Sequence, residues 1–408
     1  MGAMGEHAGP SRGALSRREA LLTGTGLALG AAGAALLPRI VGGSSSGAGA
    51  RGAPAAAATA PVDPTGEHQA GIARPDTPQQ HALIAVLDFA DRGKAGFLAA
   101  LRDRLVALSS AIPSFAGQDS PSAVAPDGAG DLAITVGLGS AVVATIGPSL
   151  PGAAGLPTFV GDEKIAAGRT GGDVLIALYA SNPAILSPAL AAARRALGNP
   201  SVRWQQLGFR APGVGTVARN PLGYHDGVIV PRGATPLDRN VWIPDGPAAG
   251  GTVCVIRHLR LDVARFTAQP PTRQDEVIGR HKADGSPLSG GGALDEVDLR
   301  AKTDTGQLVT PPRSHARAAH PSFTGSHLML RRGYAYANGP ATTPDGAVVD
   351  DQGLMFICFQ RDLEDFVRTQ RRLDEVDDLM GYVTPVSSGA FLILPGFDDR
   401  RPLGHGLL

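Results

Sequence analysis

Four of the ten histidines in this 408-residue chain lie within or beside a single stretch, residues 274–326. Histidine combines metal binding with proton transfer near neutral pH. The four are His281, His315, His320 and His327, and their surroundings show neither helical nor strand periodicity. A long irregular stretch inside a folded domain is usually functional. The stretch therefore predicts chemistry, although an isolated loop histidine is more often only a polar surface residue.

Two further features have side chains suited to acid–base chemistry. Residues 220–227 read NPLGYHDG, so glycines bracket Asp226 in a predicted loop between two halves of the chain. Asp-Gly pairs are also ordinary turn formers. Arg331 and Arg332 lie on a predicted strand, where successive side chains point to opposite faces. We expect one of them to point into the core or a cavity and the other to face out, and a buried arginine needs a charged or cofactor partner.

The composition excludes several classes of function. Lys+Arg and Asp+Glu balance at 37 each, which leaves no basic field to hold nucleic acid. Two cysteines cannot build a disulfide framework or a four-cysteine metal site. A hydrophobic fraction of 43% with 18% charged residues is typical of a globular protein. We expect no nucleic-acid partner.

The first 66 residues resemble a targeting signal and linker rather than a folded domain. The twin arginine Arg17-Arg18 precedes an uncharged run over residues 20–37. That run is long enough to span a bilayer, but its glycines and threonines make it a poor anchor. We predict a twin-arginine signal followed by a disordered Gly/Pro/Ala linker. The expected partner is the twin-arginine export machinery, the expected location is periplasmic, cell-envelope or extracellular, and no stable membrane anchor is expected.

The rest of the chain predicts the element order β-α-β-β-α-β twice. Predicted strands of the first half cover residues 81–89, 131–138, 173–179 and 201–209, with helices over 93–108 and 183–197. Predicted strands of the second half cover residues 251–259, 327–337, 353–360 and 389–395, with helices over 262–279 and 361–373. This order indicates an α+β fold of two ferredoxin-like halves, each an antiparallel sheet covered by helices. The predicted domains are residues 1–66, 67–235 and 236–408, and the loop with Asp226 ends the second of them.

Six segments, in order, resemble the dye-decolorizing peroxidase family in its exported branch, which includes deferrochelatase-like proteins. They are GEHQAGI (66–72), GYHDG (223–227), VIGRHKADGSPL (277–288), SHARAAHP (314–321), LRRGY (330–334) and FICFQRD (356–362). The similarity runs from about residue 66 to the carboxyl end. It implies two ferredoxin-like units and one haem b per chain, in a pocket of the second half.

The resemblance also implies roles for individual residues. His315 would be the proximal iron ligand, and Asp226 and Arg331 would lie on the distal, peroxide-binding face. Asp226 would act as the base for hydrogen peroxide, and Arg331 would stabilise negative charge as the O–O bond breaks. The remaining implied cofactor contacts are Arg280 beside a propionate, and His225 and Gly227 next to the distal aspartate.

Some choices remain open at this stage. His320 is a rival iron ligand, although it lies where the family motif has none. Asp377 or Asp378 is expected to orient the ring of His315 by accepting its other N–H. Cys254 and Cys358 fall on predicted neighbouring strands, where a disulfide could form, but buried free thiols are the preferred interpretation.

The implied function is a haem peroxidase that reduces hydrogen peroxide and oxidises bulky aromatic or dye-like electron donors. The alternative is an exported haem-binding or iron-releasing protein of an iron-uptake system. The sequence motifs do not separate these two functions.

Overall fold

The computed structural model describes residues 60–116, 122–213, 215–343 and 346–408. The predicted twin-arginine signal and most of the predicted linker lie outside these residues. The described chain packs from its beginning, because Val62 is buried against Ala133. The Gly66 N–H donates to the carbonyl of Phe397 over 3.0 Å. The folded body therefore includes several residues of the predicted linker.

Continuous apolar runs form the strands of the first half, and amphipathic segments form its helices. Three of its strands are buried on both faces over most of their length. The elements are β1 (His81–Asp88), α1 (Phe97–Ala111), β2 (Ala133–Gly139), α2 (Ser140–Ile146), β3 (Val174–Ala180), α3 (Leu186–Ala196) and β4 (Ser201–Phe209). Helix α2 and the long connection from it to β3 were not predicted.

A two-stranded hairpin and a short helix connect this half to the next. They are β5 (Ala218–Arg219), β6 (His225–Asp226) and α4 (Ala234–Asn240). The second half consists of β7 (Thr252–Leu261), α5 (Val263–Thr267), α6 (Pro271–Ile278), α7 (His315–Ala318), α8 (Pro321–Thr324), β8 (Leu330–Arg331), β9 (Tyr334–Thr342), β10 (Val348–Gln360), α9 (Leu363–Val376) and β11 (Val383–Ile393). None of the helices in the described ranges is long and apolar enough to cross a membrane.

Both halves have the ferredoxin-like strand order, as predicted. The first runs β4-β1-β3-β2 and the second runs β9-β10-β7-β11, with antiparallel pairing throughout. The two sheets do not stay separate, because β2 pairs with β11 and β4 pairs with β9. The eight strands thus close into a ring. The central strands are buried on both faces because one face borders the interior of this ring and the other face is covered by helices.

The interior of the ring contains apolar side chains from both halves. Trp204 of β4 and Phe391 of β11 belong to the same buried cluster. Cys254 of β7 faces this interior, whereas Cys358 of β10 belongs to a cluster under α9. Both cysteines are free and buried, as the sequence interpretation preferred.

The strand predicted over residues 327–337 is broken into β8 and β9 at Arg332 and Gly333. The prediction that one arginine of the pair faces outward is wrong, because Arg332 is 1% exposed and Arg331 borders a cavity. Its guanidinium donates to the carbonyls of Ile72 and Pro75 over 2.5 and 3.0 Å. Main-chain carbonyls thus replace the charged partner that a buried arginine was expected to need.

Because both halves share one ring and one interior, we expect them to unfold together. The two tryptophans lie in different halves, so Trp204→Phe and Trp242→Phe each leave one fluorescent reporter. In urea, fluorescence and far-ultraviolet circular dichroism should give coincident transitions within each variant. A reporter of one half that unfolds clearly before the circular dichroism signal would contradict a single cooperative unit.

Candidate active site

A cavity of about 370 Å³ lies outside the ring, between strands β7 and β10 on one side and helices α7 and α9 on the other. Its volume is within the range of roughly 300–1,000 Å³ that small-molecule and cofactor sites occupy. The structure brings all six predicted site residues to its wall: His225, Asp226, Gly227, Arg280, His315 and Arg331.

His315 is the first residue of α7 and is held by a carboxylate. Its Nδ1 lies 2.6 Å from Oδ2 of Asp377, which is fully buried. The carboxylate can only accept, so Nδ1 carries the proton. The ring exposes 38% of its surface, which borders the cavity, and Nε2 makes no hydrogen bond within the described ranges. This arrangement leaves Nε2 as a ligand nitrogen facing the cavity.

Asp377 rather than Asp378 therefore supports the imidazole ring of His315. This contact decides the choice that the sequence left open. Asp378 forms ion pairs with Arg273 and Arg313 over 2.7 and 2.5 Å. Asp377 is fixed in turn by the N–H of Leu379, which donates to its Oδ1 over 2.8 Å.

The charges around His315 act in opposite directions on its pKa. Burial of the ring lowers the pKa, whereas the charge of Asp377 and its hydrogen bond raise it. Asp226 also raises the pKa and Arg331 lowers it, which shows that both lie within electrostatic reach of the ring. The net pKa of His315 lies above the ordinary value, because the carboxylates outweigh burial.

Asp226 and Arg331 form the polar part of the wall. Oδ1 of Asp226 accepts from the N–H of Gly227 over 2.6 Å and lies 3.6 Å from Nε of Arg331. Arg331 also donates from Nη1 to the carbonyl of Ile229 over 3.0 Å. The aspartate is 32% exposed and the arginine 25% exposed, so both can reach a ligand. A carboxylate base and a guanidinium thus face the same space.

Gly227 is required by the shape of the loop that carries Asp226. Its φ of +79° lies in the left-handed region, and a Cβ there would lie 2.2 Å from the carbonyl oxygen of Thr216. The hydroxyl of Thr216 donates to the carbonyl of Gly227 over 2.8 Å. The loop therefore closes tightly beside Asp226 only with glycine at this position.

Arg280 is buried without a carboxylate in contact among the described residues. Its guanidinium donates to the carbonyls of Gly285, Ala293 and Asp295 over 3.0, 3.3 and 2.7 Å. Burial lowers the pKa of Arg280, and the charges of Asp295 and Glu296 only partly offset this. A buried cation that lines a cavity without a directly paired anion suits an anionic ligand group.

His225 lines the same cavity, and its Nδ1 is buried without a hydrogen-bond partner within the described residues. Burial lowers its pKa, and the positive charges of Arg219 and Arg280 lower it further. These effects favour the neutral form of the His225 ring. An unpartnered nitrogen at a cavity wall is available to a ligand that can bond to it.

His320 does not present a free nitrogen to the cavity. Its Nε2 lies 2.6 Å from Glu296, and its Nδ1 accepts from the N–H of Ser322, which caps α8. His281 and His327 contact Asp275 and Asp365 through Nδ1. His327 also borders the cavity, but its contact to Asp365 is longer, at 3.1 Å, and its side chain is 52% exposed. His315 combines a 2.6 Å contact to a fully buried carboxylate with a position within electrostatic reach of Asp226 and Arg331.

Sequence reasoning missed one part of the wall, which Val160, Gly161, Glu163 and Lys164 supply. It comes from the connection between α2 and β3, so the first half also contributes to the cavity. Phe159 packs against Phe366 of α9 at 5.8 Å between ring centroids. Asp162 pairs with the buried Arg257 of β7 over 2.8 Å. The unusual length of this connection was the available signal.

Family models match nearly all of the described chain. The model described as Dyp-type peroxidase, N-terminal, matches residues 69–210, and the model described as Dyp-type peroxidase, C-terminal, matches residues 217–398.

The chain belongs to the Dyp-type peroxidase family.

Curated relatives of this Dyp-type peroxidase include two proteins named deferrochelatase. The one from Escherichia coli O6:K15:H31 (strain 536 / UPEC) is 32% identical over 380 residues, covering 84% of this chain and 86% of the relative. The one from Yersinia pestis is 31% identical over 369 residues, covering 82% of each.

Solved structures agree with this assignment. DtpA from Streptomyces lividans, in an oxyferrous complex, has a TM-score of 0.76 and 32% identity over 86% of this chain and 98% of that one. A DyP-type peroxidase from Cellulomonas bogoriensis has a TM-score of 0.74 and 29% identity over 86% and 99% of the two chains. As a Dyp-type peroxidase, the protein is a haem-dependent enzyme.

The residues at the cavity fit a haem. Nε2 of His315 would be free to bind iron, and the buried cation Arg280 would suit a carboxylate at the edge of a porphyrin. The wall between them also carries apolar side chains, including Leu259, Phe356 and Leu373. A flat, largely apolar cofactor with anionic substituents suits this combination of donors.

The hydrogen bond from His315 to Asp377 predicts a selective effect on haem affinity. Asp377→Asn should weaken haem binding by roughly 10- to 100-fold, because it removes the charge that orients and polarises the ligand. Asp378→Asn is the matched control, and His315→Ala sets the limit of complete loss. Titration of each haem-free variant with haem, followed by absorbance, measures the effect. Equal affinities for the two Asn variants would contradict the assigned role of Asp377.

Proposed function

We propose that the protein binds one haem b per chain through His315 and reduces hydrogen peroxide while oxidising bulky aromatic or dye-like donors. The observation that carries this proposal is the pairing of a carboxylate-supported histidine with an Asp226–Arg331 pair at one cavity. The family assignment supports peroxide as the substrate, and the size of the cavity supports a cofactor within it.

The chain's own residues supply the proton chemistry. Haem, held through His315, would supply the redox chemistry that cleaves the O–O bond. Asp226 takes a proton from one peroxide oxygen and returns it to the leaving oxygen. Arg331 neutralises the negative charge that develops during this cleavage. The 3.6 Å separation of the two side chains lets them act on one small molecule.

His315 and Asp377 act from the other side of the site. The carboxylate fixes the ring orientation and makes the ring more electron-rich through the Nδ1–H hydrogen bond. Arg280 would anchor one anionic edge of the cofactor, and His225 and Gly227 would border the peroxide side. The peroxide chemistry is thus assigned to one wall and cofactor ligation to another.

The proposal includes export by the twin-arginine machinery. Arg17-Arg18 and the weakly apolar run after them support this route. The protein would then meet peroxide and small-molecule donors in the periplasm, in the cell envelope or outside the cell. Folding before transport suits a protein that must enclose its cofactor.

A second candidate function is release of iron from haem. It is favoured by one observation, namely that relatives matching 84% of this chain at 32% identity are named deferrochelatase. The same His315-supported site would bind haem, but haem would then be the substrate and the porphyrin a product.

Asp226→Asn should lower the rate of peroxide reduction by roughly 100-fold or more, because the amide cannot take a proton. The amide keeps the size of the side chain and can still accept from the N–H of Gly227. Asp298→Asn, an exposed aspartate outside the cavity, is the matched control. Stopped-flow absorbance after mixing with peroxide measures the rate, and an unchanged rate in Asp226→Asn would remove the aspartate from this role.

The two candidate functions predict different products. The peroxidase should oxidise an aromatic dye in proportion to added peroxide, with the haem spectrum preserved over many turnovers. Iron release should give one free iron and one intact metal-free porphyrin per haem, measured with an iron chelator and by porphyrin fluorescence. Porphyrin release without dye oxidation would favour the second candidate over the first.

A further inference from the structure

A second, smaller cavity of about 20 Å³ lies beside Asp226. It shares Asn220, Asp226, Gly227, Arg331 and Leu354 with the large cavity, so the aspartate borders both spaces. The residues that complete it are Arg210, Thr216, Ala218, Arg219, Gly333 and Ala335. Its volume exceeds the roughly 10–15 Å³ that one water molecule needs, and its mixed wall includes the polar side chains of Arg210, Asp226 and Arg331.

The two oxygens of Asp226 have different surroundings. Oδ1 accepts from the N–H of Gly227 and faces Arg331. Oδ2 has no hydrogen-bond donor in the described parts of the chain and lies near Gly333, 3.9 Å from where a Cβ would sit. Gly333 lines the small cavity, so the uncommitted oxygen lies beside this space. A carboxylate oxygen with open lone pairs there can accept from a water molecule.

Arg210 supplies donors at the same cavity. Its Nη2 donates to the carbonyl of Thr216 over 3.0 Å, and its remaining N–H groups have no acceptor within the described residues. Its guanidinium lies 5.9 Å from the ring centre of Tyr334, which fixes its position. Burial lowers the pKa of Arg210, and Asp226 is close enough to offset part of this effect. Arg210 thus presents free donors close to the Asp226 carboxylate.

The overall reaction requires protons from outside the site. Reduction of one hydrogen peroxide to two waters consumes two protons and two electrons. The proton that Asp226 moves from one peroxide oxygen to the other already belongs to the peroxide, so this transfer supplies neither of the two protons that the reaction consumes. A donor oxidised away from Asp226 releases its protons to solvent, so the reaction needs a route that returns protons from solvent to Asp226. The small cavity lies at the β5–β6 hairpin, beside the half-buried Arg210 and the exposed Arg219.

We propose that Arg210 is a positioning residue that holds one water molecule against Oδ2 of Asp226, and that this water carries protons between Asp226 and solvent. The inference rests on the proposed function of Asp226. For inward transfer, the water accepts a proton from the solvent side and donates one of its own protons to Oδ2 of Asp226. For outward transfer, the same two steps run in the opposite direction. Each step breaks one O–H bond and forms another, with no change in electrons.

The test compares haem-loaded variants at saturating peroxide and dye. Arg210→Ala should lower kcat about tenfold, the effect of losing one hydrogen bond to a charged group. The ratio of kcat in H₂O to kcat in D₂O should rise above the wild-type ratio, because proton transfer becomes slower than the other steps. Arg210→Lys and millimolar guanidinium chloride added to Arg210→Ala should each restore part of the rate. Arg203→Ala, an arginine of β4 paired with Asp88, is the matched control.

A second variant tests whether the small cavity itself is needed. Ala335→Leu should fill the small cavity and reproduce the lower kcat and higher isotope ratio while both Arg210 and Asp226 stay in place. Guanidinium should not rescue this variant.

Wild-type kcat and isotope ratio in Arg210→Ala, with Asp226→Asn inactive, would overturn the water relay and leave the role of Asp226 intact. A lower kcat with an unchanged isotope ratio and no rescue would reduce Arg210 to a structural residue and would also overturn the relay. Full activity of Asp226→Asn would instead count against the proposed function itself.

Discussion

The hydrogen bond between His315 and Asp377 is the contact on which the site depends. It joins the irregular stretch before β8 to the residue that follows α9, so two segments far apart in sequence meet at one ring nitrogen. Because Nδ1 is committed to the carboxylate, Nε2 is left to the cavity. Strands β7 and β10 of the ring of strands supply the opposite wall, while Asp226 lies on the separate β5–β6 hairpin and Arg331 lies on β8, which pairs with β10.

Several arginines in this protein are buried against carbonyls rather than carboxylates. Arg332 and Arg280 both follow this pattern. A guanidinium bonded to carbonyls keeps its full charge, whereas an ion pair would cancel it. At the cavity wall, Arg280 therefore offers a positive charge that no directly contacting carboxylate cancels among the described residues, which suits an anionic cofactor edge.

Much of the fold and the main site residues followed from the sequence. The doubled β-α-β-β-α-β order is visible because each strand is a short apolar run and each helix has a polar face. All six predicted site residues line one cavity, since they lie in motifs that the family resemblance aligned. Their chemical roles remain predictions that the substitutions above address.

Other features could not be read from the sequence. A strand buried on both faces looks the same in a closed ring as under two layers of helices, so ring closure was missed. The partners of Arg332 are two main-chain carbonyls and the side-chain oxygen of Gln79, none of which has a sequence signature. Asp377 and Asp378 are adjacent and chemically identical, and only the turn after α9 decides which of them reaches His315.

Cys254 and Cys358 illustrate how register controls covalent chemistry. In the β7–β10 pair, Cys254 lies opposite Phe359 and Cys358 lies opposite Val255. Because the two thiols are offset by one position, they point to opposite sides of the same sheet and cannot approach each other. The fold therefore needs no oxidant to reach its final form. The same native structure is accessible in a reducing compartment, where the chain is made, and in an oxidising one.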